Sequence, residues 1–290
     1  MRSLTRRSAI LSVTALSTSF AYAKAQGTAF ALIGDRHHNS DYIRISLGKT
    51  LEKDLGVPID FTDEVELLNA EELEGYRLLI VFRDGGLQRD GYVNDFEAIQ
   101  KIGHMDNSSN AGYVKAGTPK IISVPPLPKV ESKNSSAWIT AAQGKAVKDF
   151  VSGGGSALFY HNAGYISPNN DDFRDVFGGV RQGHPKIRPF KVKVVNKEHP
   201  ITRGVNDFVV TDEQHFLDYQ KDPKYLLLQS VNEDGLTHRD LGTSSAAGWA
   251  YDYGKGRVCY LAPGHLMTVL WNAEYEKIQQ NAVRWLLRQI

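Results

Sequence analysis

Four short runs that are apolar at every position constrain this chain more than any other feature. They are Ala29-Phe30-Ala31-Leu32-Ile33, Leu78-Leu79-Ile80-Val81-Phe82, Ala157-Leu158-Phe159-Tyr160 and Val258-Cys259-Tyr260-Leu261. Such a run has no polar face to offer water, so it suits a strand covered on both sides. The segments between them have helical spacing. Asp41 to Leu55 places Ile45, Leu47, Leu51 and Leu55 on one stripe, with Gly56 as a stop. Trp138 to Val151 reads as a helix ending at Gly153-Gly154-Gly155, and Glu274 to Leu287 as an amphipathic closing helix. Val57 to Phe61, Tyr225 to Gln229 and Arg257 to Ala262 read as further strands, and Lys191 to Val195 alternates as a half-exposed strand does. Strands alternating with helices predict an α/β protein with a mainly parallel, doubly wound sheet and helices on both faces.

Two stretches break that pattern. Residues 1–25 carry Arg2, Arg6 and Arg7, then an apolar stretch from Ala9 to about Phe20, then Ala21-Tyr22-Ala23 and Ala23-Lys24-Ala25. This is the layout of a cleaved export signal, with a partial twin-arginine character in Thr5-Arg6-Arg7-Ser8. A general secretory signal and an uncleaved tail are the alternatives. The expectation is a bacterial periplasmic or secreted protein with no stable membrane insertion. A single domain is expected over 27–290, with an insertion at about 84–135 rich in Gly, Asn, Ser and Pro. The insertion includes Pro125-Pro126-Leu127-Pro128 and a helical-looking stretch from Val93 to Ile102, and it is long enough to form a lid.

Charge and cysteine content narrow the function. Lys+Arg 34 against Asp+Glu 33 leaves +1, so no nucleic-acid partner is expected. The lone Cys259 excludes an internal disulfide and any multi-cysteine metal site, and its apolar neighbours suit a buried thiol.

In open α/β sheets, ligands bind beyond the carboxyl ends of the strands. Asp35, His37 and His38 follow the first apolar run, Arg83 and Asp84 the second, His161 the third, and Gly264 and His265 the fourth. Any one of these histidines, taken alone, reads as a surface residue. Polar, titratable groups after four separate strands are a stronger signal. Histidine is the side chain best suited to proton transfer near neutral pH and the commonest metal ligand. Thr211-Asp212-Glu213-Gln214-His215 stands apart. Asp212-Glu213 is either a helix cap or an acid/base or metal-binding corner. His184 is assignable to pocket or loop, and His104 and His238 to the surface.

The combination resembles the ThuA-like family, named for a trehalose-utilisation protein. The resemblance rests on His37-His38, on Gly153-Gly154-Gly155 leading to His161, and on His199-Pro200-Ile201-Thr202 leading to Asp212-Glu213. It continues in Tyr253-Gly254-Lys255-Gly256-Arg257-Val258 leading to Gly264-His265, and in Trp285 of the closing helix. It spans nearly all of 28–290. It implies a class I glutamine amidotransferase-like (flavodoxin-like) fold and a role in carbohydrate metabolism, with oxidised (keto) sugars among the candidate substrates. On that pattern His161 stands where amidotransferases carry a cysteine. An imidazole does not replace a thiolate there, so glutaminase activity is not expected. Two departures stand out: His215 occupies the position of an aromatic residue, and the 84–135 insertion is longer than the resemblance leads one to expect.

Two functions follow. One is a sugar isomerase, lyase or hydrolase with His38, His161, Glu213 and His265 as catalytic groups. Asp35, His37, Asp84, Asp212 and His215 would bind the carbohydrate ligand. A divalent metal at His38, His161 and His265 would supply an oxyanion stabiliser, although the sequence does not show whether the three meet. The other is a non-catalytic binding or accessory protein. A buried histidine or carboxylate with a charged neighbour favours the enzyme, and an aromatic, amide-lined pocket with exposed histidines favours the binder. Nothing in the sequence fixes an oligomeric state.

Overall fold

The computed structural model describes residues 28–88, 135–235 and 237–290. The expected export signal, most of the expected insertion with its helical-looking stretch, and His104 lie outside the described residues.

The strands in chain order are β1 Ala29–Ile33, β2 Ile59–Thr62, β3 Leu78–Phe82, β4 Gly86–Gln88, β5 Ser135–Ala137, β6 Ser156–Tyr160 and β7 Gly179–Gly183. They continue as β8 Arg188–Val194, β9 Phe208–Asp212, β10 Phe216–Tyr219, β11 Leu226–Val231, β12 Ser244–Tyr253 and β13 Gly256–Leu261. Nine of them form one sheet in the order β2-β1-β3-β6-β13-β12-β11-β8-β9. From β2 to β13 every pairing is parallel, and from β13 to β9 every pairing is antiparallel. Because the direction reverses at each step of the second half, only β12 and β8 run against the rest. The sheet is therefore mixed but mostly one-directional. Its parallel half has the strand order of a flavodoxin-like sheet, which reverses between β1 and β3 and leaves a crevice beyond their carboxyl ends.

The all-apolar runs behave as their composition demands. β1, β3 and β6 are buried along their whole length. β9 alternates buried and exposed residues, as a strand with one wet face must. The helices are α1 Ser40–Leu47, α2 Ala70–Leu73, α3 Ala141–Gly153, α4 Asp171–Phe177, α5 Met267–Leu270 and α6 Ala273–Leu286. α3 packs on α2, α4 and the sheet, while α6 packs against β6 and β13 and against the segment that extends α1, so helices cover both faces. That extension, Gly48–Lys53, is a widened π-helical turn. The buried stripe is not the expected one: Ile43, Leu47 and Leu51, four residues apart, are buried, whereas Ile45, two residues from Leu47 and so on the opposite face, is 55% exposed. α3 starts later than its pattern suggested because Thr140 and Gln143 form a capping box, each side chain bonding the other's backbone N–H. Among the described residues no helix is long and apolar enough to cross a membrane.

Candidate functional site

The site is assembled from loops that leave the carboxyl ends of β1, β3, β6, β9 and β13. After β1, Asp35 turns the chain by accepting the backbone N–H groups of His37 (2.8 Å) and His38 (3.1 Å) on Oδ1. Its Oδ2 accepts the Asp84 N–H at 3.0 Å, tying the loop after β1 to the loop after β3. Both Asp35 oxygens face His38 Nδ1, at 2.9 and 3.0 Å, and the Asn162 amide also donates to Oδ2. Burial alone would raise the Asp35 carboxyl. The His38 charge and these donors outweigh it and hold the group well below the usual carboxylate range. An ionised Asp35 fixes the hydrogen of His38 on Nδ1 and turns the bare Nε2 outward.

His161 sits on the tight turn after β6 with φ 40, a left-handed backbone that a non-glycine residue holds only under constraint. The constraint is visible. Its carbonyl accepts the Tyr260 hydroxyl at 2.8 Å, and its Nδ1–H donates to the Ala262 carbonyl at 2.8 Å. Across from it, a Cβ on Gly264 would stand 2.9 Å from the His161 Cβ and 2.9 Å from Phe82, so only glycine fits there. The His161 Nε2 atom is buried and makes no hydrogen bond. It points at Glu213 Oε2, 3.5 Å away.

Asp212, fully buried at the end of β9, accepts the backbone N–H of Gly264 (2.7 Å) and of His265 (3.1 Å). Gln214 is also buried and donates to the Thr243 carbonyl at 3.1 Å. Glu213 and His215, the neighbours of Gln214, face the opposite way, into the cavity. Glu213 Oε2 gathers three imidazoles: His265 Nδ1 at 3.3 Å, His161 Nε2 at 3.5 Å and His215 Nε2 at 3.5 Å. Burial favours a neutral Glu213, but these three contacts outweigh it and hold the carboxyl far below its ordinary value. His38 Nε2 closes the group, 2.9 Å from His265 Nδ1. The histidines part company electrostatically. Burial pushes His38 down to about 4 and His215 well below its ordinary value, whereas at His161 the acidic neighbours overcome burial and raise it.

A cavity of roughly 600 Å³ opens over this cluster, within the usual range for small-molecule sites. His37, His38, Asp84, Glu213, His215 and His265 all line it. Three candidates stand elsewhere than expected. Asp35 and Asp212, expected to bind substrate, are covered and lie behind the cavity, where they position His38 and the Gly264-His265 loop. His161, expected to be catalytic, does not line the cavity and meets it through Glu213, His38, His215 and His265, which do. Cys259 is fully buried in β13 away from the cavity, and burial pushes its thiol up. That placement removes a cysteine nucleophile from the site.

Among the lining residues not read from the sequence as site residues, Asn162, Tyr165, Arg181 and His184 carry the most chemistry. Asn162 and Tyr165 lie on the turn that begins at His161. Arg181 stacks 3.9 Å over the Tyr165 ring from β7, and His184, left between pocket and loop, belongs to the pocket. Asn162 was accessible in principle, since it directly follows His161. β7 carries no such cue, because it reaches the site by pairing with β10 rather than by joining the main sheet.

A mixed sheet with a flavodoxin-like parallel half, and a polar cavity at its switch point, define a doubly wound α/β protein with a small-molecule site. Several solved structures share the fold. A ThuA-like protein from Bacteroides uniformis ATCC 8492 superposes with a TM-score of 0.57 at 17% identity, covering 91% of this chain and 93% of that one. A ThuA-like protein from Parabacteroides merdae ATCC 43184 gives 0.58 at 12% identity, with 90% of each chain covered. A cytoplasmic protein from Salmonella typhimurium LT2 gives 0.53 at 12% identity, covering 89% and 98%. No curated protein sequence matches the chain. The family model ThuA, described as trehalose utilisation, matches residues 129–286, more than half the chain, and the chain belongs to that family. The match takes in His161, Glu213 and His265, while Asp35 and His38 precede it.

Proposed function

We propose that this protein is an enzyme acting on a sugar or keto sugar by acid–base chemistry at Glu213, His38 and His265. The observation that carries this reading is the convergence of Glu213 with four imidazoles at the floor of one polar cavity. A trehalose-utilisation family makes a polyhydroxylated ligand the natural occupant. The cavity offers matched polar groups for hydroxyls in Asp84, Asn162, His184 and Arg181, with Tyr165 as an apolar face for a ring. A buried His–Asp pair (His38 with Asp35) and a carboxylate ringed by imidazoles are what proton transfer beside a carbonyl requires. A pocket built only to hold a glycan has no need of them. In this reading Asp35, Asp212 and His161 are positioning residues. They fix the rings and the carboxylate that touch substrate. Export of the protein, with residues 1–25 removed, belongs to the same proposal and rests on the sequence pattern alone.

The test is a screen of purified protein against glycosides and their keto derivatives, followed by Glu213→Gln on any substrate turned over. Turnover should fall by roughly 100-fold or more, the scale of a lost acid–base group. The far-ultraviolet circular dichroism spectrum should not change. A variant as active as the parent would remove Glu213 from the chemistry.

A further inference from the structure

We infer that His38 Nε2, His161 Nε2, His265 Nδ1 and Glu213 Oε2 form a binding site for one borderline divalent transition-metal ion, of which zinc is the probe. This goes beyond the proposed acid–base reading and does not need it to hold: an atom that ligates an ion is not free to carry a proton, so Glu213, His38 and His265 act as ligands in the metal-bound protein and as acid–base groups only in the metal-free one.

The first ground is spacing. The four residues each offer a ligand atom, and those atoms lie within 4.8 Å of one another. The individual separations of 2.9, 3.3 and 3.5 Å are those of neighbouring ligands on a single ion. Bonds of about 2.0–2.1 Å place adjacent ligands about 2.9 Å apart at right angles and about 3.4 Å apart in a tetrahedron. These three pairs already stand at ligand spacing, and the remaining pairs lie within 4.8 Å.

The second ground is the state of the ring nitrogens. His161 Nδ1 faces a backbone carbonyl, which only accepts, so its hydrogen is there; in the neutral ring the buried Nε2, which makes no hydrogen bond, carries the lone pair that an ion would take in place of the proton the nearby carboxylates favour. His38 Nδ1 faces the Asp35 carboxylate, and its Nε2 likewise points into the cluster as a lone pair. A carboxylate or a carbonyl behind the ligating ring is the outer support that metal-bound histidines have, and it orients the ring while raising its basicity. A fully buried, unpartnered imidazole nitrogen is costly in a protein without a ligand. An ion at this point satisfies His161 Nε2, His38 Nε2 and Glu213 together.

The third ground separates this set from its neighbour. His184, Glu213 and His215 also cluster. Yet the His184 nitrogen nearest Glu213 is Nδ1, at 3.6 Å, and that atom donates to the Pro185 carbonyl at 2.9 Å. It presents a hydrogen where a ligand needs a lone pair. Three imidazoles and one carboxylate favour zinc-like ions over magnesium or calcium, which take oxygen. The cavity lies over His38, Glu213 and His265, so the exposed side of the ion would meet the ligand.

The test uses the whole chain, stripped with chelator and titrated with Zn²⁺, with uptake measured by equilibrium dialysis and elemental analysis. One equivalent per chain is expected at micromolar free metal. His38→Ala should weaken binding by more than about 100-fold and Asp35→Asn by roughly 10- to 100-fold. His184→Ala, and His199→Ala as a control for adventitious histidine binding, should stay within about twofold of the parent. Cobalt substitution gives a readout on the parent chain if a variant fails to fold: Co²⁺ should show the intense visible bands of a nitrogen-rich, low-symmetry site. Less than one equivalent of Zn²⁺, a cobalt spectrum like that of the aqueous ion, or unchanged affinity in folded His38→Ala would each overturn the proposal. None of these readouts involves turnover, so a metal-free but active protein would sink this inference alone, and a metal-bound inert one only the proposed activity.

Discussion

Asp84 shows how much a single side chain can reveal here. It lines the cavity, half-buried, with its Oδ1 accepting the Gly86 N–H at 2.8 Å. Burial, and after it the Asp35 charge, push its carboxyl up to about 7. Between its unfolded value and about 7 the folded chain therefore holds a proton that the unfolded chain lacks. Stability from this group is present at low pH and is lost as pH rises through about 7. Asp84→Asn keeps the acceptor and removes the titration. In chelator-stripped protein the substitution should be near neutral at pH 4–5. It should stabilise by something on the order of 2 kcal/mol at pH 8, measured by urea denaturation across pH. A pH-independent difference would mean that Asp84 is not the group that titrates. At this scale the site was half legible. Histidines that directly end apolar strands announce themselves. Whether a carboxylate touches ligand or stands behind it does not show, because Asp35 and Asp212 differ from Glu213 only in which way the side chain turns.

Among the elements, legibility followed composition. β1, β3 and β6 were evident because every position is apolar, as a strand buried on both faces requires. β12, Ser244–Tyr253, is the longest strand described, yet its Ser-Ser-Ala-Ala-Gly start has little β propensity. It is held by antiparallel pairing with β11 and β13, its neighbours in the chain, a contribution that its own residues do not display. β7 and β10 escaped for the same reason. Helix α3 illustrates a local rule with a measurable consequence. Thr140→Ala removes the capping box and should cost about 1 kcal/mol of stability by denaturant titration, with no change in metal uptake or turnover. Gly264→Ala is the contrasting case. A methyl group there presses on His161 and Phe82, so the loop after β13 must shift, and the variant should lose zinc affinity by more than it loses stability.

For the molecule as a whole, the chain is tied into the sheet at Thr28, which donates its N–H to the Pro58 carbonyl at 3.0 Å while its own carbonyl accepts Arg77 and Leu78. If residues 1–25 are the cleaved signal proposed from their sequence pattern, removing residues 1–26 should leave the melting temperature within about 2 °C of the parent. Removing residues 1–30 deletes the start of a central strand and should prevent folding, as judged by circular dichroism. The overall class, an α/β protein with a mostly one-directional sheet, was readable from the alternation of apolar runs and helical stretches. The antiparallel half of the sheet was not. Its strands carry mixed sequences that make sense only once the partner strands are in place.

Three rings share one oxygen of Glu213, and that has an evolutionary consequence. Alter any one of His161, His215 or His265 and the remaining two must redistribute around the same atom, so the effects of changes here will not add. Drift at these positions should be suppressed one residue at a time and released in matched sets. A descendant with a new specificity would sooner change Arg181, Asn162 or Tyr165, which line the cavity without sharing that oxygen.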